Sequence, residues 1–227
     1  MRIPNATPSA AVQYEFGIND LVLDILLEKV VLGVETLKLE EDRISKQILK
    51  LMLEKKVPGF CTELLEACEI LGVSIDYLIN VEDVRELLKK KVIEVQSSQL
   101  MTRMVVCSKM DRVILGGYSF DGRMKRYLSE LDFYQARAIF MGRYRMWPTK
   151  DNFPGRWPGT SCNICGLKDT DEHLLSCPGF TDIVQGKVQY GMLWDNQVLE
   201  DMEKMNEIGV VCAAVVERLE MIQNLET

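Results

Sequence analysis

The stretch Cys162-Asn163-Ile164-Cys165-Gly166, with His173 and Cys177 behind it, runs as C-x2-C-x7-H-x3-C. It holds three of the seven cysteines and the only histidine of the chain. Thiolates and imidazole are the ligands of tetrahedral zinc, and a structural site fills all four positions. The neighbouring residues suit such a site. Gly166 can take positive φ in a tight turn. Asp169-x-x-Glu172 has the spacing of a helix-start capping pair. His173 and Cys177, four apart, share a face of any helix that carries both, and Pro178-Gly179 would stop it. The expectation is one closed Cys3His zinc site made by Cys162, Cys165, His173 and Cys177. A disulfide cluster or free buried thiols would leave the lone histidine without a role. A catalytic zinc keeps an open fourth position. Glu172 is adjacent here, but the quartet already completes the shell.

Outward from this unit, 227 residues allow one medium domain or two small ones with ample core. Apolar content of 47% and charged content of 27% place the chain among ordinary globular sequences. No apolar run reaches the roughly 18 residues of a membrane span. Residues 1–11 carry one arginine and no apolar core, which does not read as a signal peptide. A reducing, intracellular location, nuclear or cytoplasmic, is therefore expected, with cysteines as thiols or metal ligands. The net charge of −7 is unevenly spread: residues 103–156 carry +6, residues 157–227 carry −8 and residues 1–102 carry −5. A basic centre between acidic flanks points to a local polyanion contact.

The rest of the chain reads as helices. Residues 1–9, with Pro4 and Pro8, should be irregular. Val22, Ile25, Leu26, Val30 and Val31 recur at helical spacing after Asn19. A second helix should run from about residue 40 to 56, with Glu40, Glu41 and Asp42 in its first turn and Lys55 and Lys56 in its last. Phe60, Leu64, Cys68 and Leu71 form the stripe of a third, closed by Gly72. Asn80 can cap a fourth, with Lys89, Lys90 and Lys91 near its end as a dipole-matched solvated terminus or a nucleic-acid patch. Gly116-Gly117 marks a turn. A helix with Tyr127 and Leu131 follows, then one carrying Phe133, Ala136, Phe140 and Tyr144. Trp147-Pro148, Phe153-Pro154 and Trp157-Pro158 read as a rigid extended strap. Residues 193–226 read as two helices broken near Ile208-Gly209, with Val211, Val215, Leu219 and Ile222 lining the last. The expected fold is mainly α: a multi-helix domain with a small Cys3His zinc knuckle-like unit and a helical C-terminal tail. The expected segments are 1–95, 96–158, 159–182 and 183–227.

The run YQARAIFMGRYRMWPTKDNFP (134–154), the turn Cys162-Asn163-Ile164-Cys165-Gly166 and the run EHLLSCP (172–178) together resemble the C-terminal end of reverse transcriptases of non-LTR (LINE-like) retrotransposons. In that family an Arg-rich helix ending in Gly-x-Arg precedes an Asn-Phe strap, a Cys-x2-Cys-Gly turn and a Glu-His-Leu-Leu helix ending in Cys-Pro. This chain has one residue, Ser176, where the family has two before the last cysteine. The resemblance covers residues 120–227. Upstream, residues 4–17 and the helices to Val73 look like the connector behind the polymerase thumb. No Asp-Asp pair of a polymerase palm occurs, and no Pro-Asp…Asp/Glu-x-Lys nuclease set follows Cys177. The resemblance therefore implies a post-polymerase region without catalysis of its own, as a truncated element copy or a co-opted gene. It implies a role in holding RNA or DNA, single-stranded or structured, beside a polymerase-bearing protein.

Arginines pair with phosphates and aromatics stack on unpaired bases. The candidate nucleic-acid contacts are Arg137, Arg143, Arg145, Lys150 and Arg156, with Trp147 and Trp157 as stacking candidates. Against that, the tryptophans can pack on the zinc unit, and Arg137 can pair with an acidic tail helix. A second reading is a zinc-stabilised protein-interaction module that uses the acidic C-terminal helices, with Met202, Met205 and Met221 as an adaptable apolar surface. An enzyme is the least supported reading. Cys61, Cys68, Cys107 and Cys212 have no histidine to activate them, and no phosphate-binding glycine loop occurs.

Overall fold

A computed structural model describes residues 7–117, 119–157 and 159–224. The expectations for Pro4, Pro158 and the last residues of the tail lie outside them. Thirteen α-helices carry the described fold: α1 (Ser9–Phe16), α2 (Leu21–Lys38), α3 (Ile44–Glu54), α4 (Phe60–Ile70), α5 (Ile75–Ile79), α6 (Val84–Val105), α7 (Asp111–Leu115), α8 (Arg126–Glu130), α9 (Phe133–Arg143), α10 (Asp171–Leu174), α11 (Thr181–Val184), α12 (Asn196–Glu200) and α13 (Met202–Asn224). The only β pairings among the described residues are two isolated bridges, Pro154 with Trp157 and Ser161 with Lys168. The mainly helical class is as expected. Residues 19–100 and 120–122 form a smaller unit, and residues up to 18, 101–119 and from 123 onward form a larger one.

In the smaller unit, α2 starts where the Asp20 carboxylate accepts the Val22 amide, satisfying one of the orphan donors of a helix start. Its buried face is Leu23, Leu27, Val30, Val31 and Val34, packed with Leu64, Cys68 and Leu71 of the α4 segment and Leu88 and Val92 of α6, while its Leu37 packs with Leu49 and Cys61. Val30 and Val31 belong to that face as expected, but Val22 and Ile25 are exposed. This helix is apolar almost all round, so periodicity alone did not mark the packed side. Glu40, Glu41 and Asp42 precede α3 rather than open it, and Glu41 instead holds Lys46 and Lys50 at 2.9 and 2.8 Å. Asp83, not Asn80, caps α6 by accepting the Glu86 amide. The three lysines fall in mid-helix, where Lys90 faces Glu86 and Lys91 faces Glu94, so they are a solvated helix face and not its terminus. Gly72 takes φ +64 behind α4, as a helix-closing glycine does.

The larger unit is built on α9 packed along α13. Phe140, Tyr144 and Trp147 are buried in this unit, as are Leu193, Val211, Val215 and Leu219. No break occurs at Ile208-Gly209, because α13 runs through it. A Cβ at Gly209 would lie 3.0 Å from Leu131 Cδ1 and 3.1 Å from Gln135 Cβ. The glycine lets α13 come close to its neighbour and does not end the helix. α1 was not anticipated, and its Glu15 reaches deep into this unit.

Gly142 makes a similar close approach inside α9. A Cβ there would sit 2.8 Å from both Leu193 Cδ1 and Trp147 Cζ2. The indole cannot give way easily, since its Nε1 donates to Ala138 O at 2.8 Å. Gly→Ala within a helix normally gains about 1 kcal/mol. Here Gly142→Ala should instead lose about 1–3 kcal/mol through overpacking. A lower urea midpoint with unchanged slope is the expected result.

Candidate metal centre

The ligand atoms of Cys162, Cys165, His173 and Cys177 lie within 4.8 Å of one another. Cys162 Sγ and Cys165 Sγ each stand 3.9 Å from Cys177 Sγ, and His173 Nε2 is 3.1 Å from Cys165 Sγ. A tetrahedral ion held by thiolates at about 2.3 Å puts its sulfurs roughly 3.8 Å apart. A disulfide would need about 2.05 Å. The quartet therefore has the spacing to hold a metal ion and not that of a disulfide. Cys162, His173 and Cys177 are buried and Cys165 is half-buried, which suits a closed site. Burial pushes the Cys177 thiol up to about 12, whereas the Leu167 backbone hydrogen bond draws Cys165 below the usual thiol range.

Local chemistry builds this geometry. Gly166, at φ +78, donates its amide to Cys162 O, and the Cys162 amide donates to Leu167 O. Ser161 pairs with Lys168 to close a small hairpin. The helix after it is capped by Thr170, whose hydroxyl accepts the His173 amide at 3.1 Å. The expected Asp169–Glu172 pair does not perform this role. α10 also ends at Leu174, so His173 and Cys177 do not share a helix. Cys177 instead sits at the entrance to a 3₁₀ turn, Pro178–Phe180, in which Pro178 starts a turn and does not stop a helix. The absent Cβ of Gly179 lets Ile164 pack there, and Arg218 of α13 donates to Gly179 O and pairs with Asp182.

The strap before the hairpin is tied to it. Lys150 and Asp151 donate their amides to Asp169, and Lys150 Nζ donates to Asn163 Oδ1 at 2.5 Å. Asn152 bridges Trp147 O and the Asp171 carboxylate, which Tyr190 also reaches at 3.2 Å. Burial pushes the Asp171 carboxyl up to about 7 in spite of these donors.

Four of the seven nucleic-acid candidates are not surface groups. Arg143 has no exposed side chain: it pairs with Glu15 at 2.7 Å and donates to Leu193 O. Burial works against its charge, but Glu15 together with Tyr144, Tyr127 and Tyr14 outweighs that and holds the guanidinium above its ordinary range. Trp147 is fully buried in the core, and Lys150 is buried beneath the hairpin. Arg137 pairs with Glu220 of α13 at 3.8 Å, the tail-helix partner that the acidic C-terminus offered. Trp157 is buried, edge-on to Phe153, and Arg156 covers its ring at 4.6 Å. That leaves Arg156, which is exposed, and Arg145, which is half-buried.

Arg112 and Lys168, which were not among the sequence candidates, join Arg145 around a cleft of about 140 Å³ with Asp151, Asp171, Glu172 and Tyr190. Arg112 lies over the rings of Tyr190 and Trp194 at 5.0 and 5.2 Å. Lys109 stands 5.9 Å from the Phe153 ring. These cations come from separate segments, so no single run displayed them. Met205 is buried, Met202 is half-buried and Met221 is exposed. Cys61, Cys68 and Cys212 are buried, and burial raises the Cys68 thiol to about 11. Among the described residues no helix is long and apolar enough to cross a membrane.

No protein-family model, curated protein or solved structure matches the chain. Fold and site define it as a mainly α-helical protein with a Cys3His group able to hold a metal ion.

Proposed function

We propose that the Cys3His quartet holds structural zinc and that the larger unit is a non-catalytic module binding RNA or DNA along the strap. The zinc reading is supported by three thiolates and one imidazole at tetrahedral spacing, the donor set of closed zinc sites. The observation that carries the binding reading is the set of cations that separate segments bring beside residues 151–157. Lys109 and Arg156 flank Phe153, while Arg112, Arg145 and Lys168 line the neighbouring cleft, where Lys168 pairs with Asp151 at 2.6 Å and Arg112 faces Glu172 at 3.6 Å. Cations interleaved with aromatics suit a phosphate chain with unpaired bases. The resemblance to the end of non-LTR reverse transcriptases points the same way. The hairpin fixes the strap through Asp169, so the ion's task is to position and not to contact.

The test is binding of single-stranded RNA and DNA to the zinc-loaded protein, titrated with salt, beside Arg145→Ala/Arg156→Ala/Lys168→Ala. Arg143 is unsuitable for this comparison, because its loss would report stability. The variant should bind at least about tenfold more weakly. Its log–log salt slope should flatten by about 0.7 for each phosphate contact removed. Absence of binding at low salt, or an unaltered triple variant, would sink the reading.

A further inference from the structure

We propose that the groove between α9 and α13 seats an amphipathic helix of a partner protein, apolar along one face and flanked by lysine or arginine. The inference does not depend on nucleic-acid binding. The groove has a volume of about 540 Å³. Ala138, Ala213 and Ala214 line it with small side chains, which let another backbone come close. Tyr134, 73% exposed, and Val210, 54% exposed, stand at its edges. Along α13, Val210, Ala214, Glu217 and Met221 follow one another at i, i+4, i+7 and i+11, the spacing that a packed helix reads. The opposite side of α13 is already engaged through Val211, Val215 and Leu219.

Charge selects the occupant. Asp132, Glu217 and Glu220 face the groove against one cation, Arg137, which is paired with Glu220. A second copy of this surface would bring net negative charge against net negative charge. A nucleic acid would be repelled for the same reason. A basic helix would instead place its cations beside Glu217 and Glu220 and its apolar face over the alanines.

The probe is a dye-labelled helical peptide of about 18 residues, long enough to hold a helix. It is made of leucine on one face and lysine on the other, with a leucine–glutamate peptide as its counterpart. Anisotropy titrations on the full zinc-loaded chain at about 0.15 M salt compare the native protein with Val210→Asp and Glu217→Lys. Both positions are exposed, so circular dichroism should show the fold retained. Saturable binding of the lysine peptide, weakened at least about tenfold by each variant and absent for the glutamate peptide, is the expected result. No binding, equal binding of both peptides, or indifference to both variants would overturn the proposal. RNA affinity should be the same in Val210→Asp as in the native chain, so failure of the strap reading and failure of the groove reading are separable.

Discussion

Arg143→Met should destabilise the larger unit by about 3–5 kcal/mol, because it strands a buried carboxylate. The Arg143 and Glu15 side chains both have no exposure, and Arg143 Nε lies 2.7 Å from Glu15 Oε1. The same carboxylate accepts the Tyr144 hydroxyl at 2.5 Å, and the guanidinium also reaches Leu193 O and Asn196. One group thus ties α1, α9 and the segment before α12 together. In water an exposed pair would contribute under about 1 kcal/mol. Here the partner left behind cannot be resolvated, which makes the single substitution severe. The melting temperature should fall by roughly 6–20 °C. Glu15→Gln/Arg143→Met removes both charges and keeps an acceptor for Tyr144, so it should regain much of the loss. A single variant that melts like the native chain would mean the pair is dispensable.

Removal of the ion, by chelation or by Cys165→Ser, should unfold residues 160–180 while α2, α4, α6 and the α9–α13 pair stay helical. Metal binding and local folding are coupled, and in small zinc units the ion supplies about 10–16 kcal/mol of apparent binding energy. The turn that carries Cys162 and Cys165 is closed by two backbone bonds, Gly166 to Cys162 O and Cys162 to Leu167 O, while Leu174, Leu175 and Phe180 behind it are buried. Amide exchange should quicken first at Cys162, Gly166, Asp169 and Leu174. It should then spread to Lys150 and Asp151, whose amides end on Asp169. On the binding reading proposed above, nucleic-acid affinity should fall with it. A stoichiometry well below one zinc per chain, or an unchanged exchange map in metal-free buffer, would contradict this account.

The legible parts were those with local causes. The ligand quartet could be read because C-x2-C, a turn glycine and a nearby histidine act within 16 residues, from Cys162 to Cys177. Helix α4 was legible for the same reason, with its stripe and Gly72. Even there, backbone detail escaped. Thr170 took the cap expected of Asp169, and Gly209 lay in mid-helix where a break was expected, because a glycine at a helix crossing and one at a helix end look alike in sequence.

By itself, the sequence determined the helical class, the Cys3His quartet and most helix positions, since spacing, capping and turn chemistry operate over a few residues. Only the tertiary structure decided which charges meet solvent. The +6 stretch of residues 103–156 looked like a surface. Its Arg143 is instead consumed by Glu15, 128 residues earlier, Lys150 lies beneath the hairpin, and Trp147 fills the core. Burial of a charge depends on a partner brought from far along the chain, and no local pattern encodes that partner.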